Sequence, residues 1–212
     1  MITIRKVETA EQDTAVSAIV RAFSGDPAAR WMYPDSQQYC EHFQSFVKAF
    51  AGAAFEHGSA DLVDGYLAAA LWLPPGLHPD EQAMNKLIRS TVPEDDQANV
   101  FAIFEQMDHY HPSEPHWYLP MIGVDPAHQS KGFGSALLQY GLMRCDHEDK
   151  LAYLESTSLS SVRLYERHGF ELLGTIQVGS SPQLFAMLRK PRAMWRGAGA
   201  NLQGSHSSTG WV

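Results

Sequence analysis

The stretch that decides the fold runs from residue 122 to residue 138 and reads IGVDPAHQSKGFGSALL. Its apolar start predicts a strand that ends at Val124, the Asp-Pro pair that follows predicts a turn, and the last residues predict the start of a helix. The first turn of a helix has free backbone N–H groups and the positive end of the helix dipole, which together attract anions. Because Gly132 and Gly134 have no side chain to block an approaching phosphate, the stretch predicts an anion-binding loop.

Two other glycine-rich phosphate-binding motifs also precede a helix. A P-loop requires G-x-x-x-x-G-K-[ST], which the sequence does not contain. A dinucleotide-binding fingerprint requires Gly or Ala where the sequence has Leu137, although Glu155 stands roughly twenty residues further on, as that fingerprint demands. Taken alone, the glycine pair fits an ordinary helix start equally well.

Composition limits the class of protein. The chain has 212 residues, 44% of them apolar, and a formal net charge of −8. This length suits one domain and can bury a core without metals or disulfides. The negative charge argues against nucleic-acid binding; it favours a cationic substrate or serves only solubility. No leader, membrane-spanning stretch or metal-ligand spacing is visible, so we expect a cytoplasmic protein without a metal or a membrane partner.

The first half of the chain predicts helices around one hairpin. The predicted elements are a short strand at 2–7, helices at about 10–24 and after residue 35, hairpin strands at 60–63 and 66–73, and helices at 79–90 and 94–110. Thr9 and Gln12 form a capping-box pattern at the first helix. Asp64-Gly65 supplies the two positive φ angles of a tight hairpin turn.

The second half alternates strands and helices. The predicted strands are 117–124, 151–155, 170–178 and 184–188, and the predicted helices are 132–146 and 161–168. The helix between the first two of these strands implies that they are parallel. After residue 191 the chain is rich in Gly, Ser and Ala without periodicity, so we expect one domain over 1–191 and a disordered tail over 192–212.

Two motifs give this chain a family resemblance. Gln129-x-x-Gly132-x-Gly134 after a Val-Asp-Pro turn resembles the acetyl-CoA pyrophosphate loop, Q/R-x-x-G-x-G/A, of the GNAT superfamily of N-acetyltransferases. The run LYERHGF at 164–170 is similar to the family's helix that carries a tyrosine and leads into the next strand. The joint match covers about 116–172.

Shorter runs resemble one branch of that superfamily. DPAAR at 26–30 and EPHWYL at 114–119 look like the puromycin N-acetyltransferase-like small-molecule enzymes. The chain departs from many members in its insertion at 74–115, which that branch shares, and in having Ser158 where many members carry Asn.

The resemblance implies a fold and a co-substrate. The implied fold is α/β (α+β): a mixed sheet of about six to seven strands, flanked by helices, whose parallel central strands splay apart around the pantetheine arm of acetyl-CoA. The implied acetyl-CoA contacts are Met121, Ile122, Gly123, Val124, Gln129, Ser130, Lys131, Gly132, Phe133, Gly134, Ser135, Ser158, Ser161 and Tyr165.

An amine that attacks a thioester needs a proton acceptor, and the departing thiolate needs a proton donor. With the resemblance, Tyr165 is the candidate general acid, although a packed core tyrosine would look the same in sequence. Glu155 is the candidate base, or else a carboxylate that caps the turn over 156–161. His116 is the alternative base, since its side chain titrates near neutral pH.

The acceptor pocket is expected around aromatic side chains. Trp31 and Tyr33, placed in a loop between the first two helices, and Trp117 are its candidate walls and suit a small apolar or aromatic primary amine. Ordinary core packing of these aromatics is the other interpretation. We therefore expect an acetyl-CoA-dependent N-acetyltransferase of a small molecule, monomeric or homodimeric. A protein or peptide N-acetyltransferase and a non-catalytic CoA-binding module are the alternatives.

Overall fold

The computed structural model describes residues 2–192, and in this part of the chain seven strands form one mixed sheet. The strands are β1 (Ile4–Lys6), β2 (Ala60–Val63), β3 (Ala68–Leu73), β4 (His116–Val124), β5 (Leu151–Ser156), β6 (Glu171–Ile176) and β7 (Leu184–Arg189). Their order across the sheet is β1-β2-β3-β4-β5-β7-β6. Of the neighbouring pairs, β4 and β5 are parallel and the others antiparallel. The predicted mixed sheet is confirmed; the predicted tail lies outside the described residues, apart from Arg192.

Helices cover both faces of the sheet. They are α1 (Gln12–Ala22), α2 (Pro27–Met32), α3 (Ser36–Ala51), α4 (Ala53–Glu56), α5 (Glu81–Thr91), α6 (Glu94–Tyr110), α7 (Phe133–His147) and α8 (Leu159–Arg167). Side chains of α1 to α6 pack in one hydrophobic cluster and those of α7 and α8 in another. Strand residues alternate between the clusters, with Leu71 in the first and Trp72 in the second.

The helix α2 is a feature that the sequence analysis missed. Gly25, Asp26 and Pro27 look like a helix breaker, and α1 does end before them, at Ala22. The Asp26 carboxylate, however, accepts hydrogen bonds from the amides of Ala28 and Ala29 at 3.0 Å each, and so caps a new helix. Proline is compatible with the first helical position because its missing N–H would be unpaired there anyway. Trp31 therefore lies on a helix, and the predicted loop is wrong.

Two other local predictions are wrong in detail. The capping box is made by Glu8 and Glu11, one residue before the predicted pair, because a short 3₁₀ turn precedes α1. In the β2–β3 connection, Gly65 has φ 80° and Tyr66 has φ 56°, so the positive angles lie one residue later than predicted. The loop is longer than a two-residue turn, and β3 begins at Ala68.

The parallel pairing of β4 with β5 is short. It joins His116 to Leu151, Trp117 to Ala152 and Tyr118 to Tyr153, and no further pair follows although β4 continues to Val124. On its other side, β4 pairs with β3 across a register shift that places Pro120 in a bulge. A bulge bends a strand, and proline has no N–H to donate to a neighbour. The two central strands therefore part, and a gap opens between their carboxyl ends.

Close packing of α7 on β3 gives a first prediction. A Cβ on Gly141 would overlap the fully buried ring of Trp72. Alanine favours a helix over glycine by about 1 kcal/mol, but overpacking typically destabilises by about 1–3 kcal/mol. We expect Gly141→Ala to lower the free energy of unfolding by about 1 kcal/mol or more, measured by urea denaturation.

Gly25→Ala is the matched control for this prediction. A Cβ at Gly25 would meet no atom within 4 Å, and its φ is not positive. The control should therefore be neutral or slightly stabilising. Equal unfolding midpoints for the two variants would contradict the packing of α7 against Trp72.

Candidate active site

An apolar cavity of about 80 Å³ lies beside the gap between β4 and β5. Its lining is mostly aromatic and aliphatic: Phe23, Ala28, Ala29, Trp31, Met32, Phe43, Phe46, Phe50, Val100, Ile103, Phe104, Met107, Pro120, Met121, Thr157, Pro182 and Leu184. The remaining two lining residues, Asp26 and Glu155, are both acidic. An apolar cavity with two carboxylates is chemically suited to a small molecule that carries a positive charge.

Glu155 is held by hydrogen bonding and by burial. Its side chain is 3% exposed, and its Oε2 accepts a hydrogen bond from the Tyr118 hydroxyl at 2.8 Å. Its Oε1 lies 3.5 Å from Nε2 of His111. The turn that follows β5 is capped instead by the Ser158 hydroxyl, which accepts from the amide of Ser161 at 3.3 Å. Glu155 is thus not a capping residue, and that alternative from the sequence is removed.

The tyrosines next to Glu155 are strongly held in their protonated form. Burial raises the pKa of Tyr118 well above its usual value, and the negative charge of Glu155 raises it further. Burial and the same carboxylate also raise the pKa of Tyr153. A protonated Tyr118 can donate to the carboxylate at every physiological pH, so it keeps Glu155 in place.

The second carboxylate, Asp26, joins α2 to the loop after β5. Besides capping α2, it accepts a hydrogen bond from the Thr157 hydroxyl. Burial raises its pKa, and the hydrogen bonds from Thr157, Ala29 and Ala28 partly offset this effect. Three donors already occupy this carboxylate, so Glu155 is the carboxylate of the cavity with more free acceptor capacity.

Tyr165 belongs to α8, on the opposite face of the sheet. Its ring is buried in the α7–α8 cluster and meets Phe170 edge to face at 5.8 Å between ring centroids. Burial raises the pKa of Tyr165, and the charge of Asp26 raises it further.

The loop between β4 and α7 has the geometry of an anion site. Ser130 and Gly132 have positive φ angles of 61° and 86°, which turn the chain before α7 begins at Phe133. A Cβ on Gly132 would meet only Ile2, at 4.0 Å, and one on Gly134 would meet Val124 and Leu164 at 3.5 and 3.8 Å. The space over Gly132 is thus open, whereas a Cβ on Gly134 would be in ordinary contact with its neighbours. A ligand can approach the first turn of α7 from the side of Gly132.

Comparison with known proteins agrees with this arrangement. The model of the Acetyltransferase (GNAT) family matches residues 66–170, from the β2–β3 turn to the end of α8. The chain belongs to the GNAT acetyltransferase family. It is therefore an N-acetyltransferase, an acyltransferase, as the resemblance predicted, and the predicted GNAT fold is confirmed.

Several GNAT proteins are similar over most of this chain. An uncharacterized N-acetyltransferase of Schizosaccharomyces pombe is 23% identical over 210 residues, which cover 88% of this chain and 83% of that protein. The crystal structure described as histone acetyltransferase HPA2 and related acetyltransferase, from Corynebacterium glutamicum, is 26% identical, with a TM-score of 0.66 and coverage of 91% and 97%. A mosquito arylalkylamine N-acetyltransferase like 5b shares the fold at 14% identity, with a TM-score of 0.64 and coverage of 90% and 100%.

The GNAT site brings together some of the predicted residues and not others. Glu155 and Trp31 line the cavity, and the Trp31 indole donates to the Ser180 hydroxyl at 3.3 Å. Tyr33 does not line it, because its ring is fully buried and its hydroxyl bonds Thr91 at 2.9 Å. The prediction of Tyr33 as a pocket wall is therefore wrong for this cavity.

Trp117 and His116 are also displaced from the cavity. Trp117 points to the α7 side of the sheet, where its indole donates to Glu148 at 2.8 Å, so its prediction as a pocket wall fails as well. The alternation of side chains along β4 places the two neighbouring residues on opposite faces. His116 lies on the cavity face but contacts His111, at 3.2 Å between ring nitrogens, rather than the cavity.

Sequence reasoning missed two residues of the candidate site. Asp26 was noted only within the DPAAR run, although Asp before Pro is a helix-start pattern that could have found it. His111 was not a candidate, because no local pattern reveals that it contacts Glu155, which lies 44 positions later in the chain. In residues 2–192, no helix is both long and apolar enough to cross a membrane.

The hydrogen bond of Tyr118 to Glu155 gives a second prediction. Tyr118→Phe keeps the ring but removes the donor to a buried carboxylate, which typically destabilises by about 1–3 kcal/mol. We expect a decrease of this size in the free energy of unfolding at pH 7, measured by urea denaturation. Tyr140→Phe is the control, because the half-buried Tyr140 has no hydroxyl hydrogen bond in the described part of the chain. Equal stability of the two variants would show that the bond contributes nothing.

Proposed function

We propose that this protein transfers an acetyl group from acetyl-CoA to the primary amine of a small molecule. The observation that carries the proposal is the gap between β4 and β5, which opens beside an apolar cavity that contains the buried carboxylate of Glu155. The proposal treats residues 1–191 as one acetyltransferase domain with an insertion at 74–115. A cytoplasmic location and a monomeric or homodimeric state stay predictions.

The backbone around the gap suits a long, polar co-substrate. From Leu119 to Val124, β4 has no pairing with β5, so its backbone groups on that side are free for a pantetheine arm, with Met121, Ile122, Gly123 and Val124 as the proposed contacts. The loop from Gln129 to Ser135 would hold the pyrophosphate by its amides, with Lys131 and Phe133 at its start and the serines of the α8 cap, Ser158 and Ser161, on the far side. Acetyl-CoA supplies a thioester carbonyl that an amine can attack.

Two side chains would handle the protons of the reaction. Glu155 would accept the proton of the attacking amine, because it is the carboxylate of the cavity with free acceptor capacity. Tyr165 would donate to the thiolate of CoA, since burial keeps its phenol protonated. His116 is not proposed as a direct base, because its ring contacts His111 and the carbonyl of Glu114 instead of the cavity.

The insertion favours a small acceptor over a peptide. Four residues of α6 line the cavity: Val100, Ile103, Phe104 and Met107. A helix in this position closes the side on which an open groove for a peptide would run. A peptide N-acetyltransferase is therefore the weaker alternative, and a non-catalytic module would bind acetyl-CoA without transferring its acetyl group.

The cavity also favours one kind of amine. Aromatic walls from Trp31, Phe43 and Phe46 suit a flat or apolar body. Three donors already occupy the Asp26 carboxylate. The cavity therefore offers only one available carboxylate, Glu155, and a second cationic group of the acceptor would be left unpaired. A monoamine with an aryl or alkyl body is thus the proposed acceptor class, in preference to a polyamine.

The first test is binding. Isothermal titration with acetyl-CoA should show an affinity in the micromolar range, and NAD should not bind. Gly132→Asp should abolish acetyl-CoA binding by repelling the pyrophosphate. Gly132→Ala carries the same backbone strain without the charge and should retain more affinity. A folded protein that fails to bind acetyl-CoA would refute the proposal.

The second test is transfer to amines, followed by release of free thiol. We expect turnover with 2-phenylethylamine and with hexylamine, lower kcat/KM with agmatine or spermidine, and none with an N-terminal peptide. Trp31→Ala should raise KM for the aryl amine with little effect on acetyl-CoA binding. Trp31 lines the cavity and is not among the proposed acetyl-CoA contacts. Preference for the peptide would favour the alternative acceptor class.

The proposed role of Tyr165 gives a separate prediction. Tyr165→Phe removes the proton donor but keeps the ring that packs on Phe170. General acid catalysis typically contributes a factor of about 10²–10⁴, so we expect kcat to fall by at least about tenfold while the affinity for acetyl-CoA changes little. Tyr140→Phe serves as the control. Unchanged turnover in Tyr165→Phe would remove Tyr165 from the mechanism.

A further inference from the structure

A chain of three polar side chains leads from the cavity to the protein surface. Oε1 of Glu155 lies 3.5 Å from Nε2 of His111. Nδ1 of His111 lies 3.2 Å from Nε2 of His116, and Nδ1 of His116 lies 2.8 Å from the carbonyl oxygen of Glu114. His111 also packs against the rings of Tyr118 and Tyr153, with centroids 4.6 and 4.4 Å away. The three side chains are therefore held in a fixed order.

The hydrogen-bond partners of His116 and His111 determine which ring nitrogen of each histidine carries the proton. A carbonyl oxygen can only accept, so Nδ1 of His116 must be the protonated nitrogen. Burial lowers the pKa of His116, and the hydrogen bond to the carbonyl of Glu114 partly offsets this effect. The ring is therefore neutral, and its Nε2 must accept. It follows that His111 donates from Nδ1 and that Nε2 of a neutral His111 has no proton.

This assignment leaves two acceptors facing each other. In the form in which His111 is neutral and Glu155 is ionised, Nε2 and Oε1 both present lone pairs. Oε1 has no hydrogen-bond partner among the described residues, and its distance of 3.5 Å from Nε2 is longer than a normal hydrogen bond. One added proton would convert this contact into a charge-assisted hydrogen bond. The structure thus contains a place for one proton between these two atoms.

We propose that Glu155 and His111 take up the proton of the amine as a pair, and that His116 positions His111 for this role. The inference rests on the proposed function, in which Glu155 is the base. The amine nitrogen forms a bond to the acetyl carbon, the carbon–sulfur bond breaks, and the thiolate receives the proton of Tyr165. The proton lost by nitrogen passes to Oε1 of Glu155 and then to Nε2 of His111. His111 then gives one proton to water and the Tyr165 phenolate takes one back from water, which restores both groups.

The different solvent exposure of Glu155 and His111 explains why a second proton acceptor is useful. The side chain of Glu155 is 3% exposed and that of His111 is 16% exposed, so His111 offers the buried carboxylate a route to solvent. Other titratable groups surround this pair: Tyr118 and Tyr153 pack against His111, Asp108 and Tyr110 belong to the nearby end of α6, and Glu81 and His78 lie near Asp108. Burial raises the pKa of Asp108, which lies near both members of the pair.

The first experiment is a double-mutant cycle on kcat with an aryl amine. Glu155→Gln should lower kcat by about 10²–10⁴, the range of general acid–base effects. His111→Gln should have a smaller effect, roughly 10–100-fold, because Glu155 is still present to accept the proton. If the two residues act as a unit, the double variant should be no slower than Glu155→Gln alone. Added imidazole should restore part of the rate of His111→Gln, because it can carry the proton, and it should not accelerate the wild type. His109→Gln is the control, because His109 is an exposed histidine on α6, two residues before His111.

The second experiment does not need activity. In the wild type with ¹⁵N-labelled histidine, ring nitrogen shifts should show neutral His111 as the Nδ1–H tautomer, with its signal assigned by its loss in His111→Gln. In His116→Phe the acceptor for Nδ1 is gone, and His111 should change to the Nε2–H tautomer, which can donate to Glu155. If wild-type protein binds acetyl-CoA but acetylates no amine, the proposed function fails and this measurement still decides the pairing.

Specific outcomes would overturn the inference. Wild-type turnover in His111→Gln would show that Glu155 works without it. Multiplying effects in the double variant, or no rescue by imidazole, would reduce His111 to a structural role. An Nε2–H tautomer of His111 in the wild type would refute the proposed place for the proton. Far-UV circular dichroism and acetyl-CoA titration of each variant distinguish these outcomes from loss of the fold.

Discussion

The short parallel pairing of β4 with β5 is the constraint on which the rest of the structure depends. Parallel strands normally continue as a ladder, and their backbone groups are then fully used. Here the ladder stops after the pair of Tyr118 and Tyr153, and the Pro120 bulge turns β4 away. The candidate groups lie around the end of this ladder. The cavity is on one face of the sheet, Tyr165 is on the other, and the loop before α7 follows the carboxyl end of β4.

The two carboxylates near this opening differ in how many hydrogen bonds they accept. The cavity has two carboxylates, yet hydrogen bonds already occupy one of them, Asp26, which connects α2 to Thr157. The other, Glu155, has one strong donor in Tyr118 and one oxygen left without a hydrogen bond. A buried carboxylate oxygen without a hydrogen bond is unfavourable for folding. Its retention in this form is therefore consistent with a chemical role instead of a structural one.

Much of this could be predicted from the sequence because it depends on local patterns. The loop at 129–134 and the order of strands and helices follow from short motifs and from the spacing of apolar residues. The roles of Tyr165 and Glu155 came from the family resemblance and stay predictions. Trp117 could not be placed correctly, because the face that a strand residue occupies depends on the register of the whole sheet. His111 could not be found at all, because its contact with Glu155 is made by tertiary packing between the end of α6 and β5.

Helix α6 has a consequence for the evolution and redesign of the acceptor range. It provides the cavity wall with Ile103, Phe104 and Met107, and the chain reaches His111 directly after the helix ends at Tyr110. Packed helices move as rigid units, so a change that shifts α6 outward to admit a bulkier acceptor also moves His111 away from Glu155. Acceptor size and proton handling are thus mechanically linked, and a wider cavity is better obtained by shortening side chains on α3 than by moving α6.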